Sequence, residues 1–339
     1  MRVRRIAGAA APPDGGYDAD VVILSLDRAE ETEAAIRSAL AQVGVSRHVI
    51  VLDQGSNPAT IARIADVVAQ HPDATLVTAG RNLGVAGGRN RATALGHGRI
   101  VVGLDNDAEF ADARTLARAV AALDCDPTLA AIGCRIVLHA TGADDLSSWG
   151  YPANLLERSG EAFDAATFVG AGHAIRRTAW DACGGYDEAL FFCWEEFDFC
   201  LRAIAAGWRI RYRGDIAVRH KVSADRRFAW SDARWFYFVR NRLYIARKWD
   251  GSWPSLAPRI AGYLLKGARN AALGQTVRAL YAAIRLSAGA EPQRLPAGAR
   301  TYLRATDAAQ RGSLLHRLRH EVLAMLPSPA AQVPARPAH

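Results

Sequence analysis

Cysteine and methionine are scarce in this 339-residue chain, with five of the first and two of the second. Cys125, Cys134, Cys183, Cys193 and Cys200 are odd in number and include no C-x-x-C pair. Neither a disulfide framework nor a structural zinc site is therefore indicated, and a reducing cytoplasm is the expected compartment. No run of about 18 uncharged apolar residues occurs, so a membrane-spanning helix is not expected. The opening MRVRRIAGAAAPPDGG has no continuous apolar core of signal-peptide length before Pro12. Also missing are G-x-G-x-x-G, G-x-x-x-x-G-K-[ST], and any Ser–His–Asp or Cys–His pairing at recognisable spacing, which leaves dehydrogenase, P-loop and triad readings without a motif.

What is present describes a globular protein. Half of the residues are hydrophobic and 22% are charged, which excludes wholesale disorder. The length allows one large domain, or one domain with an appendage. The net charge of +8 is unevenly spread. Residues 226–320 hold 18 Lys/Arg against 4 Asp/Glu, whereas residues 1–225 hold 23 against 29. An acidic part suited to holding a metal thus precedes a basic part suited to an anionic partner.

After a Gly/Pro-rich leader, residues 20–25 and 48–53 read as buried strands, and residues 30–42 and 59–70 as helices. A short strand at 75–78, a helix around 88–95 and the strand Ile100-Val-Val-Gly-Leu104 continue the alternation. The first 110 residues therefore predict a parallel α/β sheet, whose ligands sit beyond the carboxyl ends of its strands. Further on, the pattern predicts a helix over 112–123, strands over 130–138, 168–175 and 208–212, and a helix over 195–207. Residues 141–160 are turn-rich. Beyond residue 225, the stretches 233–249, 258–286 and 313–326 are helix-like, and the final PSPAAQVPARPAH is expected to be a disordered tail.

Three groups of residues carry chemistry. Asp105-Asn106-Asp107 puts two carboxylates just past a buried strand, where they can share a divalent cation with diphosphate oxygens and water. Taken alone, such a D-x-D fits an ordinary polar loop better. Trp194-Glu195-Glu196-Phe197-Asp198 sets three carboxylates among aromatic side chains, a setting that raises a carboxyl pKa and suits general-base work. Acids at a helix start also favour the macrodipole, so a structural role stands beside the catalytic one. His220 closes an extended stretch, and a lone histidine there is more often a surface or core residue than a ligand.

The order of blocks decides between these readings. V-V-I-L-S-L-D-R, V-I-V-L-D-Q-G-S, R-N-L-G-V-A-G-G-R-N, V-G-L-D-N-D, F-V-G-A-G-H-A-I-R-R, G-G-Y-D-E, W-E-E-F-D-F-C-L-R and A-V-R-H resemble glycosyltransferase family 2 over roughly residues 20–250. The resemblance implies a GT-A fold: an α/β, Rossmann-like, mostly parallel sheet with a nucleotide-binding half (20–110) and an acceptor half (111–225). A flexible leader (1–19), a basic aromatic helical region (226–326) and a disordered tail (327–339) would flank it. The resemblance further implies that Asp53 meets the nucleobase, that Asn82 and the turn from Gly84 shape the nucleotide pocket, and that Asp105 faces ribose or metal. Asp107 and His220 would bind Mg²⁺ or Mn²⁺. Glu196 stands where the family usually has an Asp as base, with Glu195 as the alternative, and Gly172, His173, Gly185, Tyr186, Asp187 and Trp194 would lie toward the acceptor.

The implied activity is an inverting, metal-dependent transfer from a dTDP- or UDP-sugar to a glycan or lipid-linked acceptor in cell-surface polysaccharide synthesis. R-N-L-G-V-A-G-G-R-N and the C-terminal helices look most like the rhamnosyltransferase-like branch. A non-catalytic nucleotide- or carbohydrate-binding protein on the same fold is the alternative. The interleaved Trp, Tyr, Phe and Arg residues of 230–253 fit helix packing, a peripheral contact with an anionic membrane at the inner face of the cell membrane, or a homodimer contact better than nucleic acid.

Overall fold

In the computed structural model, residues 3–221, 233–249, 251–289, 292–313, 322–323 and 325–326 are described. Ten strands form one sheet: β1 (Arg4–Gly8), β2 (Ala19–Ser25), β3 (Arg47–Asp53), β4 (Ala74–Thr78), β5 (Ile100–Leu104), β6 (Ala108–Phe110), β7 (Leu129–Leu138), β8 (Ala162–Ala165), β9 (Gly172–Arg176) and β10 (Arg209–His220). Their order is β1-β4-β3-β2-β5-β9-β7-β10-β6, with β8 paired to β10. Pairing is parallel through β4-β3-β2-β5 and between β7 and β10, and antiparallel where β9 joins β5 to β7.

The helices of the sheet region are α1 (Ala29–Leu40), α2 (Pro58–Val68), α3 (Gly84–Thr93), α4 (Thr115–Asp124), α5 (Arg177–Cys183) and α6 (Glu195–Ala205). β2 is apolar along nearly its whole length because helices cover both faces of the sheet. One buried cluster packs α1, α2 and α4 on the sheet, and a second packs α3, α5 and α6. α2 starts where the sequence signals it, with the Asn57 side chain accepting from Thr60 N and Pro58 at the first helical position.

Among the described residues four C-terminal helices follow: α7 (Trp235–Lys248), α8 (Trp253–Arg269), α9 (Leu273–Ser287) and α10 (Ala297–Thr306). α7, α8 and α9 share a core around Trp235, Val239, Leu243 and Ala279. The Trp235 indole donates to Thr276 Oγ1 at 2.9 Å. Trp235, Tyr244 and Trp249 are thus spent on packing, while Trp230 lies outside the described residues.

The structure corrects several expectations. Part of the leader expected to be flexible is β1, which extends the sheet by antiparallel pairing with β4. The helix expected around 88–95 begins at Gly84. The stretch 258–286 is two helices, because the chain turns at Asn270 and at Ala271, which has φ 54°. The strand expected at 208–212 runs on to His220. The tail over 327–339, and most of the helix expected over 313–326, lie outside the described residues.

Candidate active site

The chain leaves β2 to build β3 and β4 on one side and returns to place β5 on the other, so the sheet has a topological switch point between β2 and β5. Ligands of open α/β sheets bind at such points. A cavity of about 1540 Å³ opens there. It is walled by residues 26–31, by Asp105, Asn106 and Asp107, by residues 147–153 and 167–171, and by residues 191–197.

Asp107 and His220 are 113 residues apart in sequence and are brought together by the three-residue strand β6. Its antiparallel register pairs Ala108 with His220. Asp107 Oδ1 then lies 3.4 Å from His220 Nε2. On its other side the imidazole Nδ1 is 2.8 Å from Oδ2 of the buried Asp145. Asp145 is itself fixed by Ser147 N at 3.0 Å and Ser148 Oγ at 2.6 Å.

The electrostatics of this row are mutually dependent. Burial works against a charged His220, but Asp107 and Asp145 outweigh it and push the imidazole up to about 9. Burial likewise opposes charge on Asp145, yet His220 and the two serines hold that carboxyl well below the usual range. Asp107 is lowered by His220 and by Arg28, which also contacts it.

The donor set fits a divalent cation. An oxygen and an imidazole nitrogen about 3 Å apart can share an ion whose bonds are roughly 2.0–2.2 Å long. Asp145 holds the tautomer that turns Nε2 outward, the usual outer partner of a metal-binding histidine. Binding would displace the proton that His220 otherwise carries. Among the described residues no three His, Cys, Asp or Glu side chains are grouped to hold a metal by themselves. Asp107 and His220 would therefore need diphosphate or water oxygens to complete the shell. Asp105 also lines the cavity, with Oδ1 taken by Arg89 at 2.9 Å.

Glu195 and Glu196 enter from the first turn of α6, after a strained approach. Phe191, Cys193 and Trp194 have φ of 63°, 70° and 72°, and non-glycine residues in that region each cost about 1–3 kcal/mol. Asn241 on α7 holds the strained segment, donating through Nδ2 to the carbonyls of Leu190, Phe192 and Cys193, each at 2.8 Å. Gly84 is required opposite, because its φ is 73° and a Cβ would come within 2.2 Å of the Phe191 carbonyl. Asn82 faces the cavity and accepts from Gly84 N at 2.8 Å.

The two glutamates differ. Glu195 is 3% exposed and Oε2 has no hydrogen-bond partner among the described residues; burial, then the charge of Glu196, drives it far above the ordinary carboxyl range. Glu196 is half-buried at the cavity wall, and burial raises it to about 7. A carboxylate poised near neutrality can take a proton from a bound hydroxyl.

Other expected site residues lie beneath the cavity rather than on its wall. Asp53 is fully buried, its oxygens accepting from Gly55 N, Ser56 N and Thr78 Oγ1, so it fixes the turn that carries Gln54 and Asn57 to the wall. His173 and Tyr186 are buried and face each other at 3.1 Å. Gly172 packs within β9 against Val218, and Gly185 packs against Asn90 and Trp180. Asp187 is paired with Lys248 at 2.8 Å. Of the acceptor-side candidates, Trp194 alone lines the cavity. Asp145 and Asn241 escaped the sequence reading, since neither sits in a spacing that marks a site; Arg28 and Gly170 lie inside blocks that carry the resemblance, but the contacts of Arg28 with Asp107 and of Gly170 with Glu196 were not foreseen.

Residues 20–183 match the family model "Glycosyl transferase family 2". The match covers just under half of the chain. Over 90 residues the chain is 37% identical to the succinoglycan biosynthesis protein ExoO of Rhizobium meliloti (strain 1021), covering 26% of this chain and 25% of that protein. Over 217 residues it is 29% identical to the pre-mycofactocin glycosyltransferase of Mycobacterium tuberculosis (strain H37Rv), covering 62% and 44%. The chain thus spans less than half the length of these curated relatives.

Two solved structures carry the same architecture. The mannosyltransferase PcManGT from Pyrobaculum calidifontis, in complex with GDP-Man and Mn²⁺, is 22% identical with a TM-score of 0.54, covering 96% of this chain and 88% of that one. GalNAc-T7 with UDP, GalNAc and Mn²⁺ is 16% identical with a TM-score of 0.57, covering 74% and 52%. At these identities the likeness is one of fold, and the fold is GT-A with appended C-terminal helices.

Proposed function

We propose that the protein transfers a sugar from a nucleotide-diphosphate sugar to an acceptor hydroxyl, in a single displacement that inverts the anomeric centre. The observation carrying this reading is the convergence of Asp107, His220 and Glu196 on one cavity at the switch point of a family 2 sheet. Asp107 and His220 would hold Mn²⁺ or Mg²⁺, and the Mn²⁺ in both solved neighbours supports a cation here. When bound, the cation neutralises charge on the diphosphate leaving group. Arg28, on Asp107 at the wall, is placed to meet the same phosphates. Asn82, Gly84 and Asp105 shape the nucleotide side.

Glu196 takes the acceptor's proton as the acceptor oxygen bonds to the anomeric carbon. The bond from that carbon to the diphosphate oxygen breaks, and nucleoside diphosphate leaves. Glu195, kept protonated by burial, adds no second negative charge beside the base. The block R-N-L-G-V-A-G-G-R-N supports a rhamnosyltransferase-like branch with a dTDP- or UDP-sugar donor. The similarity to a succinoglycan biosynthesis protein supports a glycan or lipid-linked acceptor in surface polysaccharide assembly.

Peripheral attachment to an anionic membrane completes the reading. No helix among the described residues is long and apolar enough to cross a membrane. α9, however, leaves Leu273, Val277, Tyr281 and Ile284 exposed, and residues 251–289 contain five Lys/Arg and no Asp or Glu. Apolar side chains ringed by cations suit anionic lipid.

The test is donor turnover. Incubation with dTDP-rhamnose, UDP-sugars and GDP-mannose, with and without Mn²⁺, should release nucleoside diphosphate from one of them only when metal is present. Glu196→Gln should still bind that donor while release falls by orders of magnitude. Binding without release by the wild-type chain, even with candidate acceptors, would instead favour the non-catalytic alternative.

A further inference from the structure

A second cavity, of about 410 Å³, shares the Phe197 side chain with the first and lies among α6, α7, α8 and α10. Four arginines line it, namely Arg242, Arg259, Arg300 and Arg304, against one carboxylate, Asp307. That carboxylate is engaged by Arg311 at 2.8 Å. Among the described residues, Arg242, Arg259 and Arg304 form no ion pair. The Arg242 guanidinium instead lies over the rings of Phe197 at 4.6 Å and Trp194 at 5.3 Å. Burial, and then the charges of Arg259 and Arg311, push it down to about 10.

Arg259, Arg300 and Arg304 are exposed and Arg242 is half-buried, so the cationic heads gather at a solvent-facing rim beside apolar walls, where an anion that reaches two or more of them at once is favoured. Guanidinium forks match the several oxygens of a phosphate better than a single carboxylate would. The rest of the lining includes Leu201, Ile245, Trp249 and Leu303, which offer an apolar surface beside the cations.

We propose that this cavity binds a phosphate or diphosphate ester, at a site separate from the large cavity. Arg242, Arg259 and Arg304 meet the anion, and the apolar wall takes the carbon part of the ester. The inference stands on this cavity's own residues and does not depend on the transfer reaction.

Pyrophosphate, titrated calorimetrically into the full chain with EDTA present, tests it. Binding should survive Arg28→Gln, which removes a cation from the large cavity. It should weaken at least tenfold in Arg259→Gln/Arg304→Gln. The anion-free thermal midpoint of that double variant should stay close to wild type, because both side chains are exposed, so lost binding is distinguishable from lost fold. Short-chain phosphatidic acid below its micelle concentration forms the second arm. Tighter binding than pyrophosphate assigns the site to a lipid ester, and weaker binding assigns it to a free diphosphate. No binding of either, binding unaffected by the double variant, or binding lost through Arg28→Gln overturns the proposal.

Discussion

Gly170 lies so close to Glu196 that a Cβ on the glycine would stand 2.3 Å from Oε1 of the glutamate. The long side chain at position 196 has room to reach the cavity wall because the facing residue has none. Gly170→Ala should therefore displace the carboxylate without unfolding the protein, since the clashing atom is the free end of a flexible chain. If Glu196 is the base, turnover should fall by about 10²–10⁴-fold, the usual worth of general-base catalysis. Donor binding, measured calorimetrically, should change little. Full turnover in Gly170→Ala would mean that the base is elsewhere.

Asp145 reaches the proposed metal only through His220, which makes it a positioning residue. Asp145→Asn keeps the shape but removes the charge that orients and polarises the imidazole. Loss of such an outer partner typically costs about 10–100-fold in metal affinity. Titration of Mn²⁺ by calorimetry or electron paramagnetic resonance should show that weakening, with Asp107→Ala abolishing binding outright. Equal Mn²⁺ affinity in Asp145→Asn and wild type would remove Asp145 from the site.

Asn241 ties α7 to the strained turn that delivers Glu195 and Glu196. Asn241→Leu would leave the carbonyls of Phe192 and Cys193 without that donor, while Leu190 O keeps Arg240 Nη2 and Phe192 N. Unsatisfied buried groups cost about 1–3 kcal/mol each, and partial relaxation should leave a net loss of roughly 2–4 kcal/mol in urea unfolding. Activity should fall further than stability alone explains, because Trp194 and both glutamates would lose their fixed approach. A stable variant with normal turnover would show that the turn holds itself.

The order of strands and helices was legible from residue 20 to residue 104 because strands buried on both faces write continuous apolar runs, as in residues 20–25 and 100–104. Asp107, His220 and Glu196, singled out through the family resemblance, do share one cavity. What the sequence could not convey was register. β6 is three residues long, too short for a periodic signal, yet it closes the distance from Asp107 to His220. Asp145 sits in a turn-rich stretch with no pattern to mark it. Gly172, His173, Gly185 and Tyr186 looked like surface loop residues because glycine permits both a turn and close packing, and here packing beneath the cavity prevails. No proline or paired turn residues mark Asn270–Ala272, so the bend between α8 and α9 was likewise concealed.

The buried histidine at position 173 gives the fold a dependence on acid that can be isolated. Burial, and then the charge of Arg89, depress His173 to about 3, whereas an unfolded histidine titrates near its ordinary value of about 6.5. Between those values the unfolded chain binds the additional proton, so stability rises with pH. The contribution is complete above about 6.5 and is lost as pH falls toward 3, at up to about 1.4 kcal/mol per pH unit. His173→Gln should be less stable than wild type at pH 8, through lost packing against Phe168 and lost contact with Tyr186. Its disadvantage should shrink as the pH of urea unfolding is lowered from 6.5 to 4.5. A gap between the two proteins that stays constant over that range would mean that His173 is protonated in the folded state as readily as in the unfolded one.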